Sequence, residues 1–214
     1  MRMDSQTQLW LQNTSDWSEV LLAHAAHEGM EAGDLDMDGD PDLIFNGFWF
    51  ATPNSPAEAR VAANYSNRVI DGTWFNQGGD WTADSCKVVL GDFDGDGTND
   101  VAFSQSERAG FAVTWYRSSS PNGAGPWTPQ AITVVDYCHN LQAADWDLDG
   151  DADLLVGGMI QSQHRGLKLM LNSGGGTNWT PSVIHTNGSY SAEVGDIDKD
   201  GDLDLVVVCT GKPK

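Results

Sequence analysis

Positive charge is scarce in this 214-residue chain: 11 Lys and Arg stand against 31 Asp and Glu, a formal net charge of −20. So acidic a surface repels nucleic acid and anionic membranes, and neither is expected as a partner. Cysteine is also scarce. Cys86, Cys138 and Cys209 are an odd set without metal spacing, and buried free thiols are the expected state, with a Cys86–Cys138 disulfide as the alternative. No apolar run approaches the ~18 residues of a membrane-spanning helix. The first residues, Met-Arg-Met-Asp-Ser-Gln, lack a signal-peptide core, so no export signal is visible in this chain. Long helical periodicity is missing too; the segment 55–63 reads as one short helix or a loop. Catalytic signatures are absent: there is no Gly-x-Ser-x-Gly elbow, no His-Glu-x-x-His and no phosphate-cradling glycine loop.

What is present is glycine, 24 residues of it, between short runs of aromatic and β-branched side chains. That composition predicts an all-β protein with many turns. Against it stand four copies of one acidic loop. They are Asp34-Leu-Asp36-Met-Asp38-Gly-Asp40-Pro-Asp42, Asp92-Phe-Asp94-Gly-Asp96-Gly-Thr98-Asn-Asp100, Asp145-Trp-Asp147-Leu-Asp149-Gly-Asp151-Ala-Asp153 and Asp196-Ile-Asp198-Lys-Asp200-Gly-Asp202-Leu-Asp204. Each carries Asp at positions 1, 3, 5 and 9 and Gly at position 6. Alternate carboxylates in a tight loop converge on one centre, and Gly permits the turn that returns position 9 to it. Position 7 (Asp40, Thr98, Asp151, Asp202) can add its backbone carbonyl. A hard dication with tolerant geometry, Ca²⁺ before Mg²⁺, fits that oxygen set. An EF-hand would need Glu at position 12, where this chain has Phe45, Phe103, Val156 and Val207. The flanks read as buried strands, so each loop joins strand to strand.

The loops begin at residues 34, 92, 145 and 196. Repeats of this length, with four strand-like segments each, predict a β-propeller of four-stranded blades. The expected boundaries are about 26–80, 84–135 and 138–186. A last blade is expected from 188–214 completed by 5–24, because the N-terminal segments resemble the third and fourth strands of a repeat. The whole chain would then be a single domain. Counted through that join, the fourth step matches the others, which favours a closed four-bladed ring. Two chains pairing into an eight-bladed ring, or a piece of a longer propeller, stay open.

The pattern Gly-Asp-x-Asp-x-Asp-Gly-x-x-Asp followed by apolar residues, with Trp-x-x-x-x-Ile strands at Trp127 and Trp179, resembles the FG-GAP/VCBS repeat family. It is similar to the calcium-binding repeats of integrin α-subunit propellers and of many bacterial secreted proteins. The likeness covers nearly the whole chain, although the Phe-Gly and Gly-Ala-Pro signature is absent. It implies that Asp34, Asp36, Asp38, Asp42 and their counterparts ligate about four Ca²⁺ ions, and that a ligand site lies on the opposite face. Family propellers usually hold more blades than this chain has repeats.

On that opposite face the candidate ligand contacts are Trp49, Trp74, Trp81, Arg108, Tyr137, His139, His164, Arg165 and Tyr190, since loops on a rigid scaffold commonly carry recognition and aromatic faces suit sugars or protein hot spots. Each also has a plainer reading as packing or surface. His27, His139 and Cys138 fall near the starts of innermost strands, where they would hold a transition metal if they faced a central channel. The leading expectation is a non-catalytic, calcium-stabilised extracellular or periplasmic propeller that binds a glycan or protein. The alternatives are an assembly module of a larger extracellular complex and a polysaccharide-acting enzyme, the last resting on fold analogy alone.

Overall fold

The computed structural model describes residues 6–24, 28–75, 81–120, 122, 125–163 and 165–209. They are all-β. Two strands, β1 (Gln6–Gln12) and β2 (Trp17–Ala23), form an antiparallel hairpin. Three four-stranded antiparallel sheets follow. The first holds β3 (Met30–Gly33), β4 (Asp42–Phe45), β5 (Phe48–Ala51) and β6 (Ser66–Val69). The second holds β7 (Cys86–Gly91), β8 (Asp100–Gln105), β9 (Ala112–Ser118) and β10 (Trp127–Val134). The third holds β11 (Cys138–Ala144), β12 (Asp153–Gly158), β13 (Gly166–Asn172) and β14 (Trp179–His185). A final hairpin pairs β15 (Ser189–Gly195) with β16 (Asp204–Cys209). In each four-stranded sheet the strands lie in chain order, so sequential neighbours hydrogen-bond to one another.

Strand alternation explains how these sheets stack. Successive side chains point to opposite faces, and both faces of the middle sheets are covered. Val88, Val101, Phe103 and Tyr116 pack toward the first sheet, against Ile44, Trp49 and Trp74. Their neighbours Val89, Ala102, Val113 and Trp115 pack toward the third sheet, against Leu141, Leu154, Val156 and Met170. Hence β8 and β12 are buried along their whole length. Such strands are apolar without interruption (Val-Ala-Phe, Leu-Leu-Val), as two-sided burial demands. The β1–β2 hairpin covers the far side of the first sheet through Leu9, Leu11, Val20 and Leu22. The β15–β16 hairpin covers the far side of the third through Ala192, Val194, Leu205 and Val207. The first strands β3, β7, β11 and β15 pack side by side.

Three expectations have different outcomes. The sheet meant to join the two ends is not formed: among the described residues β1–β2 and β15–β16 are separate two-stranded sheets. The segment 55–63 holds two 3-10 turns, Glu58–Arg60 and Ala62–Asn64, with no α-helix. Ser55 accepts the Glu58 amide but the run is too short and β-broken at Val61 to propagate. The expectation of buried free thiols holds for Cys86 and Cys138, which form no disulfide; Cys209 is free but exposed. Between β4 and β5 the chain reverses in two residues, and Gly47 is required there. Its φ is +90° and a Cβ would lie 2.3 Å from the Asp71 carbonyl.

Candidate metal centres

Every Asp loop follows the first strand of its unit and runs into the second. Position 9 is already the first residue of that second strand (Asp42, Asp100, Asp153, Asp204). Its carboxylate turns back and accepts the position 2 amide: Leu35 to Asp42 at 2.9 Å, Phe93 to Asp100 at 3.2 Å, Trp146 to Asp153 at 2.9 Å and Ile197 to Asp204 at 2.8 Å. Position 1 accepts amides from the turn, including Gly39 to Asp34 at 3.0 Å, Gly97 to Asp92 at 2.8 Å, Gly150 to Asp145 at 3.0 Å and Gly201 to Asp196 at 3.2 Å. Position 5 accepts the position 7 amide at 3.0 Å in all four loops.

The sequence reading missed one requirement. Besides the position 6 glycines, position 4 sits at positive φ in every loop: Met37 at 60°, Gly95 at 74°, Leu148 at 59° and Lys199 at 65°. Three of the four are therefore non-glycine residues in the left-handed region, a cost of roughly 1–2 kcal/mol each. Position 3, just before this residue, contributes a carboxylate to the converging group in every loop.

The carboxylate oxygens converge. Asp34, Asp36 and Asp42 place oxygens within 4.8 Å of one another, as do Asp92, Asp94 and Asp96, Asp145, Asp147 and Asp153, and Asp196, Asp198 and Asp204. In the second loop position 5 replaces position 9 in that set. Asp38, Asp149 and Asp200 at position 5, and Asp40, Thr98, Asp151 and Asp202 at position 7, lie outside these triads. Burial pushes Asp42 up to about 6 and Asp100 up to about 8, with neighbouring carboxylates adding to both. Burial also raises Asp36, Asp94 and Asp153. Asp36 Oδ1 and Asp100 Oδ1 are buried without a hydrogen-bond partner. Buried carboxylate oxygens left unpaired are costly, and a dication at the centre of the first triad would satisfy that of Asp36. Two loops carry a cationic neighbour: Arg68 lies 3.6 Å from Asp36, and Arg117 lies 2.5 Å from Asp94 and 3.2 Å from Asp96.

The loops also touch one another. The Asn99 side chain donates to the Asp34 carbonyl at 2.7 Å, and the Ala152 amide to the Asp92 carbonyl at 3.4 Å. The Asn172 amide side chain donates to the Phe93 carbonyl at 2.7 Å.

At the opposite end of the first strands the expected ligand contacts divide. Trp49 and Trp74 are core residues, 0% and 6% exposed, which corrects their reading as ligand contacts. Arg68 stacks over the Trp49 ring at 4.7 Å, and Trp74 Nε1 donates to the Tyr116 hydroxyl at 2.8 Å. Both fill the space between the first and second sheets, where a large ring satisfies two-sided burial. The His164 position and the Trp81 side chain lie outside the described residues. Arg165 is exposed. Arg108 donates to Thr82 Oγ1 at 3.0 Å, and the Tyr137 amide donates to the Arg108 carbonyl at 2.9 Å. Tyr137 itself has φ 51°.

His139 and Tyr190 do come together, with ring centroids 4.5 Å apart and nearly parallel. Each is the extra residue of a β-bulge: the register slips between Cys138 and Asn140, and between Ser189 and Ser191. A bulge re-aims its side chain. Three residues that were not anticipated join them. Glu28, Lys87 and Glu107 surround His139, with Lys87 Nζ 3.0 Å from Glu28 and His139 Nε2 3.9 Å from Glu28 and 3.7 Å from Glu107. The expected transition-metal set was His27, Cys138 and His139. His27 lies outside the described residues, and Cys138 is fully buried with its thiol on the Asn140 carbonyl.

A model of the FG-GAP-like repeat matches residues 92–156 and 159–207, more than half of the chain. The chain belongs to that repeat family. Among solved structures it is similar to an Agrocybe aegerita lectin described as specifically recognising non-reducing terminal N-acetylglucosamine. The TM-score is 0.58 at 14% identity, covering 97% of this chain and 61% of the lectin's. It is also similar to part of the Photorhabdus luminescens Tc holotoxin pore, with a TM-score of 0.50 at 16% identity, covering 95% of this chain and 10% of that one. The chain thus spans less than two thirds of either, and the likeness is one of fold. No curated protein matches the sequence.

Proposed function

We propose that this protein is a calcium-stabilised, non-catalytic binding propeller that takes a glycan or protein ligand at the end of its first strands opposite the Asp loops. The four-stranded sheets act as blades and the Asp loops as Ca²⁺ sites that fix each blade's first turn. The observation that carries this reading is the contrast within each unit. Carboxylates converge at one end, with buried unpaired oxygens on Asp36 and Asp100. At the other end aromatic and polar groups gather around His139 and Tyr190. The glycan alternative draws support from the fold shared with a lectin. Calcium sites of extracellular strength, with Kd of roughly 10⁻⁴–10⁻³ M, would fill outside the cytosol, which favours an extracellular or periplasmic setting.

The test is a glycan and protein binding screen in millimolar calcium, run beside turnover assays on acidic polysaccharides. Binding that is lost in chelator, without turnover, supports the proposal. Measured turnover overturns the non-catalytic part, and no binding at all overturns the ligand part.

A second reading, an assembly module, is favoured by the two terminal hairpins. Val206 and Val208 on β16 are 54% and 60% exposed, and Trp10 on β1 is 50% exposed. In the complete sheets the corresponding faces are covered. The outer edge of β16 corresponds to that by which β12 holds β13, and β1 corresponds to β13, so the edges are complementary. Native mass spectrometry across a concentration series tests this. Oligomers that grow with concentration and vanish on Val206→Lys support assembly; a monomer at every concentration rules it out.

A further inference from the structure

The group around His139 is more than a polar patch. Glu28, Glu107 and His139 each offer one ligand atom, and the three atoms lie within 4.8 Å of one another. Glu28 lies two residues before β3, Glu107 lies between β8 and β9, and His139 is on β11, so three successive sheets contribute one group each.

Two of the three donors are held in orientation. His139 Nδ1 is 2.9 Å from the Tyr190 carbonyl. A carbonyl accepts, so Nδ1 carries the proton, and Nε2 turns its lone pair toward the two carboxylates. Tyr190 fixes the ring further by stacking on it. Glu28 Oε2 accepts the Ser106 hydroxyl at 2.8 Å, which leaves Oε1 turned toward His139. Outer-shell hydrogen bonds of this kind, on imidazole and on carboxylate, set the direction of metal ligands.

We propose that Glu28 Oε1, Glu107 Oε1 and His139 Nε2 form a site for one divalent transition-metal ion, Zn²⁺ before Mn²⁺, separate from the Asp loops. One imidazole with two carboxylates suits a borderline cation better than an all-oxygen one. Zinc bonds of about 2.0–2.2 Å place neighbouring tetrahedral ligands roughly 3.4 Å apart. The observed Nε2 separations of 3.7 and 3.9 Å close to that with a small side-chain movement. Three protein ligands leave a fourth position open. His139, Lys87 and Tyr190 also line a cleft of about 310 Å³, so that position borders space for water or a ligand group.

Lys87 acts as the competing cation. Its Nζ lies 3.0 Å from Glu28 Oε1, the same oxygen assigned to the metal. Metal entry displaces the ammonium from Glu28, and removal of Lys87 therefore strengthens the site. This site does not rest on the calcium reading or on the ligand reading.

The experiment is titration of the whole protein with Zn²⁺ in ~1 mM Ca²⁺, followed by calorimetry, with Co²⁺ absorption as the second readout. One equivalent is expected, with visible Co²⁺ bands that report nitrogen ligation. Glu107→Gln and His139→Gln should each weaken Zn²⁺ binding at least ~10-fold, and Lys87→Met should tighten it about 10-fold through loss of a nearby like charge. An unchanged circular-dichroism spectrum and Tm in these variants shows that they remain folded. Cys209→Ser is the control, because Cys209 Sγ lies 3.7 Å from His185 Nε2 on the exposed β16 side. The proposal is overturned by no Zn²⁺ binding in excess calcium, by binding indifferent to His139→Gln and Glu107→Gln, or by binding lost in Cys209→Ser.

Discussion

At one end of β3, β7, β11 and β15 the chain enters four loops that keep Asp at the same positions and the same amide-to-carboxylate hydrogen bonds. At the other end, at comparable distances before each loop, stand Glu28, Lys87, His139 and Tyr190: an acid, a base, an imidazole and a phenol. The first end must solve one backbone problem four times, so its residues repeat. The second end has no shared problem. There the strands serve as pegs, and each peg carries a different group. Conservation of chemistry along the repeat therefore marks scaffold in this molecule, and loss of it marks where recognition can reside.

Four measurements sharpen or break that contrast. Chelation carries the largest expected effect. Each site of ordinary extracellular strength adds about 0.4–1.4 kcal/mol at ~1 mM calcium, so removing four should lower Tm by on the order of 10 °C. An unchanged melt would remove the scaffold role from the Asp loops.

Next comes pH in chelator. Asp100 rises to about 8 in the fold, against an ordinary carboxylate value near 4. Between those values the folded protein holds a proton that the unfolded chain has lost, so stability is highest below pH ~4 and falls as pH rises toward 8. Asp42 adds the same trend up to about 6. The metal-free protein should be on the order of 3 kcal/mol less stable at pH 8 than at pH 5 in urea unfolding, and calcium should flatten the profile. Stability rising with pH in chelator would contradict the assigned burial of Asp100.

A pair of substitutions compares the two ends directly. Asp153→Ala strips acceptors from the Trp146 and Asn172 amides and should cost about 2–3 kcal/mol. Tyr190→Ala, at a half-exposed position, should cost under about 0.5 kcal/mol while weakening any ligand bound at that end. Equal losses in denaturant melts would erase the distinction. Smallest of all, Lys199→Gly should raise stability by about 0.5 kcal/mol, because glycine accepts the left-handed conformation that lysine adopts there. A loss instead would mean that the lysine side chain contributes to the loop.

The Asp loops and the all-β character were legible because both follow local rules. Alternating Asp with a fixed Gly is a spacing, and Val-Ala-Phe between turn residues is a composition. Position 4 was hidden, since Met37, Leu148 and Lys199 are unremarkable in sequence, and their backbone angle is imposed by the loop around them. Trp49 and Trp74 misled for a related reason. A tryptophan near a turn reads equally as a contact or as filling, and only the second sheet packed against them decides. The cluster at the far end depended on two bulges and on a side chain from the β8–β9 connection. Pairing register and long-range approach have no local signature, yet counting back from each loop to Glu28, Lys87, His139 and Tyr190 would have brought the four together.

The links between neighbouring loops have a consequence for how their order is gained. Asn99 holds the Asp34 carbonyl and Ala152 holds the Asp92 carbonyl, and each carbonyl belongs to the residue that opens an Asp loop. Under the calcium reading, an ion that orders one turn steadies the donor for the next, and the ordering cost is shared along the row. The first three sites would then fill as a cooperative series, with a titration steeper than independent binding, and partial loading of those three would be the least populated condition.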